Sequence, residues 1–400
     1  MSSSPSPTSP ADRIVALDAI RGVAVLGILV INVWVFAMPE ATLLNPTVYG
    51  DFSGANYWAW LVGHVFFELK FITLFSVLFG AGILLFTRRR ESTGDDALRL
   101  HFRRTGWLIA IGLAHAYLLW YGDILVAYGL CALWVVLLRD WAPTTKFAFG
   151  LALIAVPSAL ELLTALVADP ELIAGQWRPA ESALRTEVEA YRGGWIDQLS
   201  HRVPTAFERQ TTGFLGLAFW RVGGSIAVGM ALFEWGVLTD ERSDRFYRRL
   251  ALWGAVVGLG AVLAGVAYIE ANGWGADAAL FWRQFNYWGS LPLAGSYVGL
   301  VTLFCRRFPG VVVAWMAAVG RTAFTNYLLQ TVLATSLFYG HGLGLFGSLT
   351  RVELLVVVVA IWTVQVALSV LWLRTFRFGP VEWLWRTLTY GDRQPLLDRR

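Results

Sequence analysis

Charged residues are scarce in this chain: Asp, Glu, Lys and Arg make up 15% of its 400 residues. A soluble protein carries about a quarter. So few charges cannot cover a water-exposed surface, and 56% of the residues are hydrophobic, so most of the surface must face lipid. Cysteine and histidine are also rare, with two and five residues, and no His/Cys pair stands at metal-ligand spacing. The sequence therefore predicts neither a disulfide scaffold nor a metal site.

Long apolar runs are abundant, and the 20 tryptophans suit a membrane interface. Because an apolar run of about 17–25 residues can cross a bilayer as a helix, we predict an all-α polytopic membrane protein, a bundle of about ten transmembrane helices. The predicted spans are 14–36, 58–86, 105–119, 124–138, 147–167, 214–238, 250–269, 285–304, 311–339 and 352–373. The ninth is interrupted at Gly320-Arg321, with a short interfacial helix at 311–319 before the true span.

Arginine and lysine fall mainly in alternate loops, at 88–104, 139–146, 242–249, 306–307 and after 373. The positive-inside rule then predicts that both termini lie in the cytoplasm. The net charge of +4 is explained by these loops, and no nucleic-acid partner is expected. We predict a disordered cytoplasmic tail at 1–12, one transmembrane domain at 13–390 with an extracytoplasmic loop at 168–212, and a cytoplasmic tail at 391–400.

Ionisable residues inside spans are costly and need an explanation. One group lies near the span ends that face away from the basic loops: His64, Glu68 and Lys70, followed by His115 and Asp123. His64 and Glu68 stand at i,i+4, so they share a helix face and can form a hydrogen bond. An imidazole held at one nitrogen leaves the other as a general base. The alternative is a buried polar pair that only links helices.

A second ionisable group lies at the opposite, basic end. Asp18 and Arg21 stand at i,i+3 and favour an ion pair at a helix start. Arg103, within an arginine cluster, and Arg321, at the break in the ninth span, could bind phosphates of a cytosolic donor or lipid headgroups. The alternative for loop arginines is a topology signal alone.

The ninth span carries polar side chains at helical spacing, which we expect to face the bundle interior: Thr325, Asn326, Tyr327, Gln330 and Thr331. They line a substrate path or join helices; both interpretations stay open. Gly80 and Gly82 favour close helix packing, since no strand–turn–helix context supports a phosphate loop.

Several segments resemble the YeiB-like family of bacterial inner-membrane proteins, a family of largely unknown function. They are 17–22 (LDAIRG), 70–82 (KFITLFSVLFGAG), 122–125 with 128–130 (GDIL, YGL), 320–331 (GRTAFTNYLLQT) and 379–386 (GPVEWLWR). The family is similar at a distance to transmembrane acyltransferases, including the lysosomal heparan acetyltransferase and the acyltransferase-3 proteins. That similarity implies transfer of an acyl group from cytosolic acyl-CoA to an acceptor across the membrane. His64 is the closest match to their relay histidine, whereas Gln330 stands where the acyltransferase-3 pattern ends in His.

The leading hypothesis is therefore acyl transfer to an extracytoplasmic or membrane-embedded acceptor, with acyl-CoA as co-substrate and no tightly bound cofactor. The candidate catalytic residues are His64, Glu68, His115 and Asp123. The candidate donor-binding residues are Asp18, Arg21, Lys70, Arg103, Arg321, Asn326, Tyr327 and Gln330. The expected partners are membrane lipids, acyl-CoA and the acceptor, and a homo-oligomer is compatible with this interpretation. The alternatives are a transporter or flippase of an amphipathic molecule and a non-catalytic membrane protein.

Overall fold

The computed structural model describes residues 14–397, and within this range the chain forms helices and no β-strand. The predicted tail at 1–12 and the end of the predicted tail at 391–400 lie outside the described residues. In chain order the helices are α1 (Val15–Ala37), α2 (Ala41–Leu44), α3 (Gly54–Phe66), α4 (Lys70–Ser92), α5 (Ala97–Leu118), α6 (Leu125–Val135), α7 (Pro143–Val167), α8 (Pro170–Trp177), α9 (Glu181–Arg192), α10 (Leu199–Gln210), α11 (Phe219–Glu234), α12 (Asp244–Ala271), α13 (Ala276–Arg307), α14 (Val311–Arg321), α15 (Ala323–Phe338), α16 (Arg351–Trp372) and α17 (Pro380–Tyr390).

Seven helical segments between residues 14 and 397 are long and apolar enough to cross a membrane. They are Val15–Ala37, Gly54–Ser92, Pro143–Val167, Leu199–Glu234, Asp244–Ala271, Ala276–Arg307 and Arg351–Trp372. The protein is thus an all-α polytopic membrane protein. Three predicted spans fall outside this set, because α5 begins with arginines and α6 and α15 have only 11 and 16 residues. The predicted number of spans and their orientation stay predictions.

The second predicted span, 58–86, is not one continuous helix. α3 ends at Phe66 and α4 begins at Lys70, and Leu69 between them has a φ of +65°. A bulky residue in the left-handed region costs about 1–3 kcal/mol. The carbonyl of His64 accepts a hydrogen bond from the Lys70 ammonium at 2.6 Å, which supplies the partner that a broken helix needs inside a membrane. The sequence misses this break because residues 66–70 contain no glycine or proline.

α1 packs against α4, α13, α14, α15 and α16, so it lies at the centre of the bundle. Its contact with α14 depends on two glycines. A β-carbon on Gly22 would lie 2.0 Å from the carbonyl oxygen of Met316, and one on Gly320 would lie 1.8 Å from that of Asp18. Such close backbone approach is the usual role of small residues between membrane helices. α14, predicted as an interfacial helix, therefore packs along α1, and the predicted interruption separates it from α15.

The two glycines of the segment 78–82 have different surroundings. A β-carbon on Gly80 would lie 2.1 Å from the carbonyl oxygen of Ile226, so the prediction of close helix packing is confirmed there. Gly82 has open space on that side and lines a cavity instead, so the same prediction is wrong for Gly82.

The segment predicted as the extracytoplasmic loop 168–212 forms α8, α9 and α10. These helices hold the end of α5 in place. The Arg202 guanidinium donates a hydrogen bond to the Tyr117 carbonyl at 2.9 Å, and the Trp195 indole donates one to the Leu118 carbonyl at 2.7 Å. The turn between α5 and α6 therefore has a fixed position.

Candidate functional site

A cavity of about 250 Å³ lies between α4, α5, α6, α15 and α17. Most of its wall is apolar or aromatic: Phe75, Leu78, Phe79, Ile83, Leu108, Leu125, Ala323, Phe324 and Trp385. Three arginines, Arg21, Arg104 and Arg321, line it and are only half-buried, whereas Tyr128 and Tyr327 line it and are buried. The cavity thus runs from a partly exposed cationic end, here called the arginine mouth, to a buried aromatic end.

Each guanidinium group of the arginine mouth is held by its surroundings. Arg21 forms the predicted ion pair with Asp18, with Nη1 and Oδ1 3.1 Å apart. The Arg104 guanidinium lies over the Trp385 ring at 4.2 Å from its centre, a favourable cation–π distance. Arg321 donates a hydrogen bond to the Arg377 carbonyl at 3.3 Å. Planar guanidinium groups fixed in this way suit phosphate or carboxylate groups.

Sequence reasoning selected the wrong neighbour on α5 for this cavity. Arg103 is exposed and does not line the cavity, whereas Arg104 does. Adjacent residues on a helix point about 100° apart. The contact of Arg104 with Trp385 of α17 decides which arginine faces the cavity, and the sequence gives no sign of that contact.

Glu382 is the carboxylate that lines the cavity, and it caps α15. One oxygen accepts hydrogen bonds from the backbone amides of Phe324 and Thr325, at 2.7 and 3.1 Å, and the other accepts one from the Thr325 hydroxyl at 2.5 Å. An acidic group at a helix N-terminus is favourable. Burial raises the pKa of Glu382 above its usual value, against the effect of these hydrogen bonds. The hydrogen bonds from the N-terminus of α15 offset the negative charge of Glu382. The carboxylate therefore repels an anion at the arginine mouth less than a free carboxylate would.

At the buried end of the cavity, a second group of polar residues lies behind the wall. His115 Nδ1 is 2.7 Å from Asp123 Oδ1, and both side chains are almost fully buried. The Asp123 carboxylate also accepts a hydrogen bond from the Val126 amide at 2.8 Å. The His115 ring centre is 5.3 Å from that of Tyr327, and the Tyr327 hydroxyl accepts a hydrogen bond from the Ile124 amide at 3.1 Å. Tyr327 and Ile124 line the cavity, so a single layer of side chains separates it from His115.

The other predicted catalytic pair, His64 and Glu68, has a different setting. The predicted hydrogen bond is confirmed, with His64 Nδ1 and Glu68 Oε2 2.5 Å apart. The His64 ring is sandwiched between the indole rings of Trp60 and Trp282, at 5.0 and 5.4 Å between ring centres. Its other nitrogen, Nε2, is buried and has no hydrogen-bond partner among residues 14–397. Neither residue lines the cavity described above.

Lys70 lies deep in the helix bundle and away from the arginine mouth. Its fully buried ammonium donates hydrogen bonds to the His64 carbonyl and to Asn286 Oδ1, the latter at 2.5 Å. Nearby, the buried Arg221 guanidinium donates to the hydroxyls of Thr73 and Ser290, at 3.2 and 2.7 Å. The acceptors of these hydrogen bonds are neutral protein groups, and the arrangement joins α4 to α11 and α13.

Four side chains of the polar stripe of α15 are buried in the bundle as predicted, whereas Thr325 is half-buried. Asn326 donates hydrogen bonds to Ser369 and Thr322, both at 2.9 Å. Gln330 donates to the Val25 carbonyl at 2.9 Å. Both side chains therefore join α15 to α1, α14 and α16, and only Tyr327 of the stripe lines the cavity. For Asn326 and Gln330 the geometry favours the helix-joining interpretation over a substrate path.

A second cavity, of about 460 Å³, lies among α4, α7, α11, α12 and α13. Its described lining is apolar except for Thr73 and Ser225, and no ionisable side chain is among those lining residues. This composition suits hydrocarbon chains and offers no chemistry, so the first cavity is the better candidate for a functional site.

Comparison with known proteins places the chain in a family. A family model described as "Protein of unknown function (DUF418)" matches residues 232–392. The chain is 37% identical to the "Uncharacterized protein YeiB" of Escherichia coli (strain K12), over 97% of this chain and 99% of that protein. It is 31% identical to the "Uncharacterized protein YxaH" of Bacillus subtilis (strain 168), over 98% of each chain. Because these similarities extend over nearly the whole length of both relatives, the chain belongs to the YeiB-like DUF418 family.

Proposed function

We propose that the protein is an acyl-CoA-dependent acyltransferase of the bacterial inner membrane. The acyl donor enters the cavity from the cytoplasm through the arginine mouth, and the acyl group is delivered to an acceptor on the opposite side. One observation carries this proposal: a cavity with a cationic mouth and apolar walls ends one layer of side chains from the His115–Asp123 pair.

The donor side follows from the charges and the size of the cavity. Acyl-CoA combines phosphates with a long, narrow pantetheine arm that ends in a thioester. The guanidinium groups of Arg21, Arg104 and Arg321 provide charge-assisted hydrogen bonds for the phosphates. A cavity of about 250 Å³ is small for a ligand site. It therefore suits the pantetheine arm with a short acyl group, while the nucleotide stays outside the mouth.

The chemical step follows from the His115–Asp123 hydrogen bond. A carboxylate on Nδ1 keeps the proton there, so the neutral imidazole presents Nε2 as an acceptor. That nitrogen is a general base for a hydroxyl or amine, and Asp123 stabilises the imidazolium that forms. Tyr327 lies between the cavity and His115, so displacement of its ring would bring the thioester within reach. His64 is less suitable as a base because two indole rings enclose it.

Donor binding is tested with the purified protein and acetyl-CoA. We expect acetyl-CoA to raise the thermal unfolding temperature, since a ligand that binds only the folded state stabilises it. Dephospho-CoA, which lacks only the 3′-phosphate, should stabilise less than CoA, and pantetheine, which has no phosphate, should stabilise least. No stabilisation by acetyl-CoA or butyryl-CoA at millimolar concentration would contradict the proposal.

Transfer is tested in inside-out membrane vesicles from cells that produce the protein. Radiolabelled acetyl-CoA is added outside, and the label retained by the vesicles after its removal is measured. We expect retained label that depends on the protein and is lost in the matched variant His115→Asn. Equal label retention with and without the protein would contradict acyl transfer.

A second candidate function is proton-coupled transport of an anionic amphiphile. The observation that favours it is the buried polar cluster at the break between α3 and α4, which acyl transfer does not use: His64, Glu68 and Lys70. Buried ionisable groups of this type often serve proton relays. Uptake of intact labelled acyl-CoA into proteoliposomes, without release of free CoA, would favour this function over acyl transfer.

A further inference from the structure

Asp123, His115 and Thr331 form a continuous hydrogen-bonded chain across three elements of the bundle. Asp123 Oδ1 is 2.7 Å from His115 Nδ1, and His115 Nε2 is 2.9 Å from the Thr331 hydroxyl oxygen. The residue pair His115 and Thr331 is 216 positions apart in the chain. With Asp123 holding the proton on Nδ1, Nε2 accepts the hydrogen bond and the Thr331 hydroxyl donates it. This is the carboxylate–imidazole–hydroxyl order by which proteins activate a hydroxyl nucleophile.

The hydroxyl of Thr331 contacts an imidazole at 2.9 Å instead of a backbone carbonyl, and the Thr105 hydroxyl has a longer contact of this kind, 3.4 Å from His101 Nε2. Thr87 of α4, in contrast, donates to the backbone carbonyl four residues earlier at 3.0 Å, the usual partner within a helix. Within the described part of the chain, the only hydrogen-bond partner of the Thr331 hydroxyl is His115. A threonine that merely filled space in α15 would have the backbone carbonyl at its disposal. The side chain is directed to the imidazole instead.

Thr331 also has the right position relative to the cavity. Tyr327 lines the buried end of the cavity, and Thr331 stands four residues further along α15, so both side chains lie on the same helix face. One helical turn is about 5.4 Å. An acyl group that passes the Tyr327 ring therefore meets the Thr331 hydroxyl next, on the side away from the arginine mouth.

We propose that Thr331 is an acyl relay: its hydroxyl takes the acyl group from the donor and forms a covalent ester before the acceptor is acylated. This inference rests on the proposed function. In the first half-reaction the Thr331 oxygen attacks the thioester carbonyl and its proton moves to His115 Nε2. The carbon–sulfur bond breaks, and His115 returns the proton to the sulfur, so free CoA leaves as a thiol.

The second half-reaction uses the same groups in reverse. An acceptor hydroxyl or amine loses its proton to His115 Nε2 and attacks the Thr331 ester carbonyl. The bond between that carbonyl and the Thr331 oxygen breaks, and the oxygen regains a proton from His115. The acyl group thereby crosses the layer of side chains in two steps, and donor and acceptor never need to meet in one cavity.

The experiment looks for the ester directly. The purified protein is incubated with acetyl-CoA without acceptor, digested and examined by tandem mass spectrometry. We expect one added acetyl group on the peptide that contains Thr331, resistant to the neutral hydroxylamine that removes thioesters. Thr331→Ser should keep the acetylation, and His115→Asn should lose it.

The matched pair Thr331→Val and Thr335→Val separates the relay from a structural role. Both threonines are buried on α15, but the Thr335 hydroxyl donates to the Val332 carbonyl at 3.4 Å. Valine keeps the side-chain shape and removes the hydroxyl. We expect Thr331→Val to lower vesicle labelling by roughly 10³-fold or more while acetyl-CoA still stabilises the protein. Thr335→Val should leave labelling within a few-fold of wild type.

Two results would overturn the inference in distinguishable ways. If the wild type transfers label but carries no acetyl group, and Thr331→Val transfers at the wild-type rate, the relay is wrong and the acyltransferase function stands. If the wild type neither binds acetyl-CoA nor transfers label, both the relay and the proposed function are wrong.

Discussion

The protein contains two histidine–carboxylate pairs with similar hydrogen-bond distances and different surroundings. His64 and Glu68 are 2.5 Å apart, and His115 and Asp123 are 2.7 Å apart. Within the described part of the chain, the second nitrogen of His64 has no hydrogen-bond partner, and the imidazole lies between two indole rings. The second nitrogen of His115 is hydrogen-bonded to the Thr331 hydroxyl. Only the second pair borders the wall of the cavity with the arginine mouth.

This difference shows that the spacing of a histidine and a carboxylate in the sequence can predict their hydrogen bond but not whether the pair is catalytic or structural. The first pair lies at the break between α3 and α4, where the Lys70 ammonium donates to the backbone carbonyl of His64 and to Asn286 Oδ1. Its contacts account for it as a structural element of that break. The second pair is joined to a hydroxyl and to a ligand-sized space, which are the additional components that acyl transfer needs.

The largest expected effect comes from matched substitutions of the two histidines. Asparagine keeps a donor close to the Nδ1 position and removes Nε2. We expect His115→Asn to lower labelling in the vesicle assay by roughly 10²–10⁴-fold, the usual contribution of a general base. His64→Asn should keep labelling within a few-fold of wild type once protein amounts are equalised. The opposite order of effects would reverse the assignment of the two pairs.

The next effect concerns the mouth of the cavity. Arg104 lines the cavity and Arg103, its neighbour on α5, is exposed. We expect Arg104→Met to weaken acetyl-CoA binding by roughly 10-fold or more, since a hydrogen bond to a charged group contributes about 1.5–3 kcal/mol. Arg103→Met should change the dissociation constant by less than about 2-fold, because an exposed charge is screened. Equal losses from both substitutions would point to general electrostatic attraction instead of a site.

A third prediction uses Lys70, which donates to the backbone carbonyl of His64 beside the His64–Glu68 pair. Lys70→Met removes the donor that serves the His64 carbonyl and Asn286. We expect a loss of about 1–3 kcal/mol for each buried group left unsatisfied, visible as a lower thermal unfolding temperature in detergent. Acetyl-CoA should stabilise the variant by as much as it stabilises the wild type. Loss of that ligand-dependent shift would show that the α3–α4 break takes part in donor binding.

The smallest expected effect separates the two glycines of the segment 78–82. Gly82→Ala places a methyl group in open space beside the cavity, so stability should change by less than about 0.5 kcal/mol. The added methyl group makes the cavity of the variant smaller, so the variant should bind longer acyl chains less well. A comparison of acetyl-CoA with butyryl-CoA binding measures this preference. Gly80→Ala, the control, meets the Ile226 carbonyl and should lower the unfolding temperature with no change in chain preference.

The apolar runs predicted the membrane class and most of the helices, because the hydrocarbon core constrains length and composition strongly. The spacing of His64 and Glu68 predicted their hydrogen bond, although Glu68 lies beyond the end of α3 and not on the helix face that the spacing assumed. The break at Leu69 was not predicted. Lys70, which follows the break, is hydrogen-bonded to Asn286, and that residue is 216 positions away in the chain.

The parts of the site that sequence reasoning missed all depend on contacts between distant helices. Glu382 stands in a segment that supported the family resemblance, yet its role as the cap of α15 is visible only when α17 is packed against α15. Arg104 and Trp385 are likewise joined by tertiary packing. Thr331 was expected in an interior stripe, but its imidazole partner on α5 could not be foreseen.

The most direct test of the central claim is a cryo-electron microscopy structure with a non-reactive thioether analogue of acetyl-CoA. We predict density for the phosphates beside Arg21, Arg104 and Arg321, and for the thioether beside Tyr327, on the wall in front of His115. Density for the analogue at the His64–Glu68 pair, or a cavity that stays empty at saturating analogue, would contradict the account.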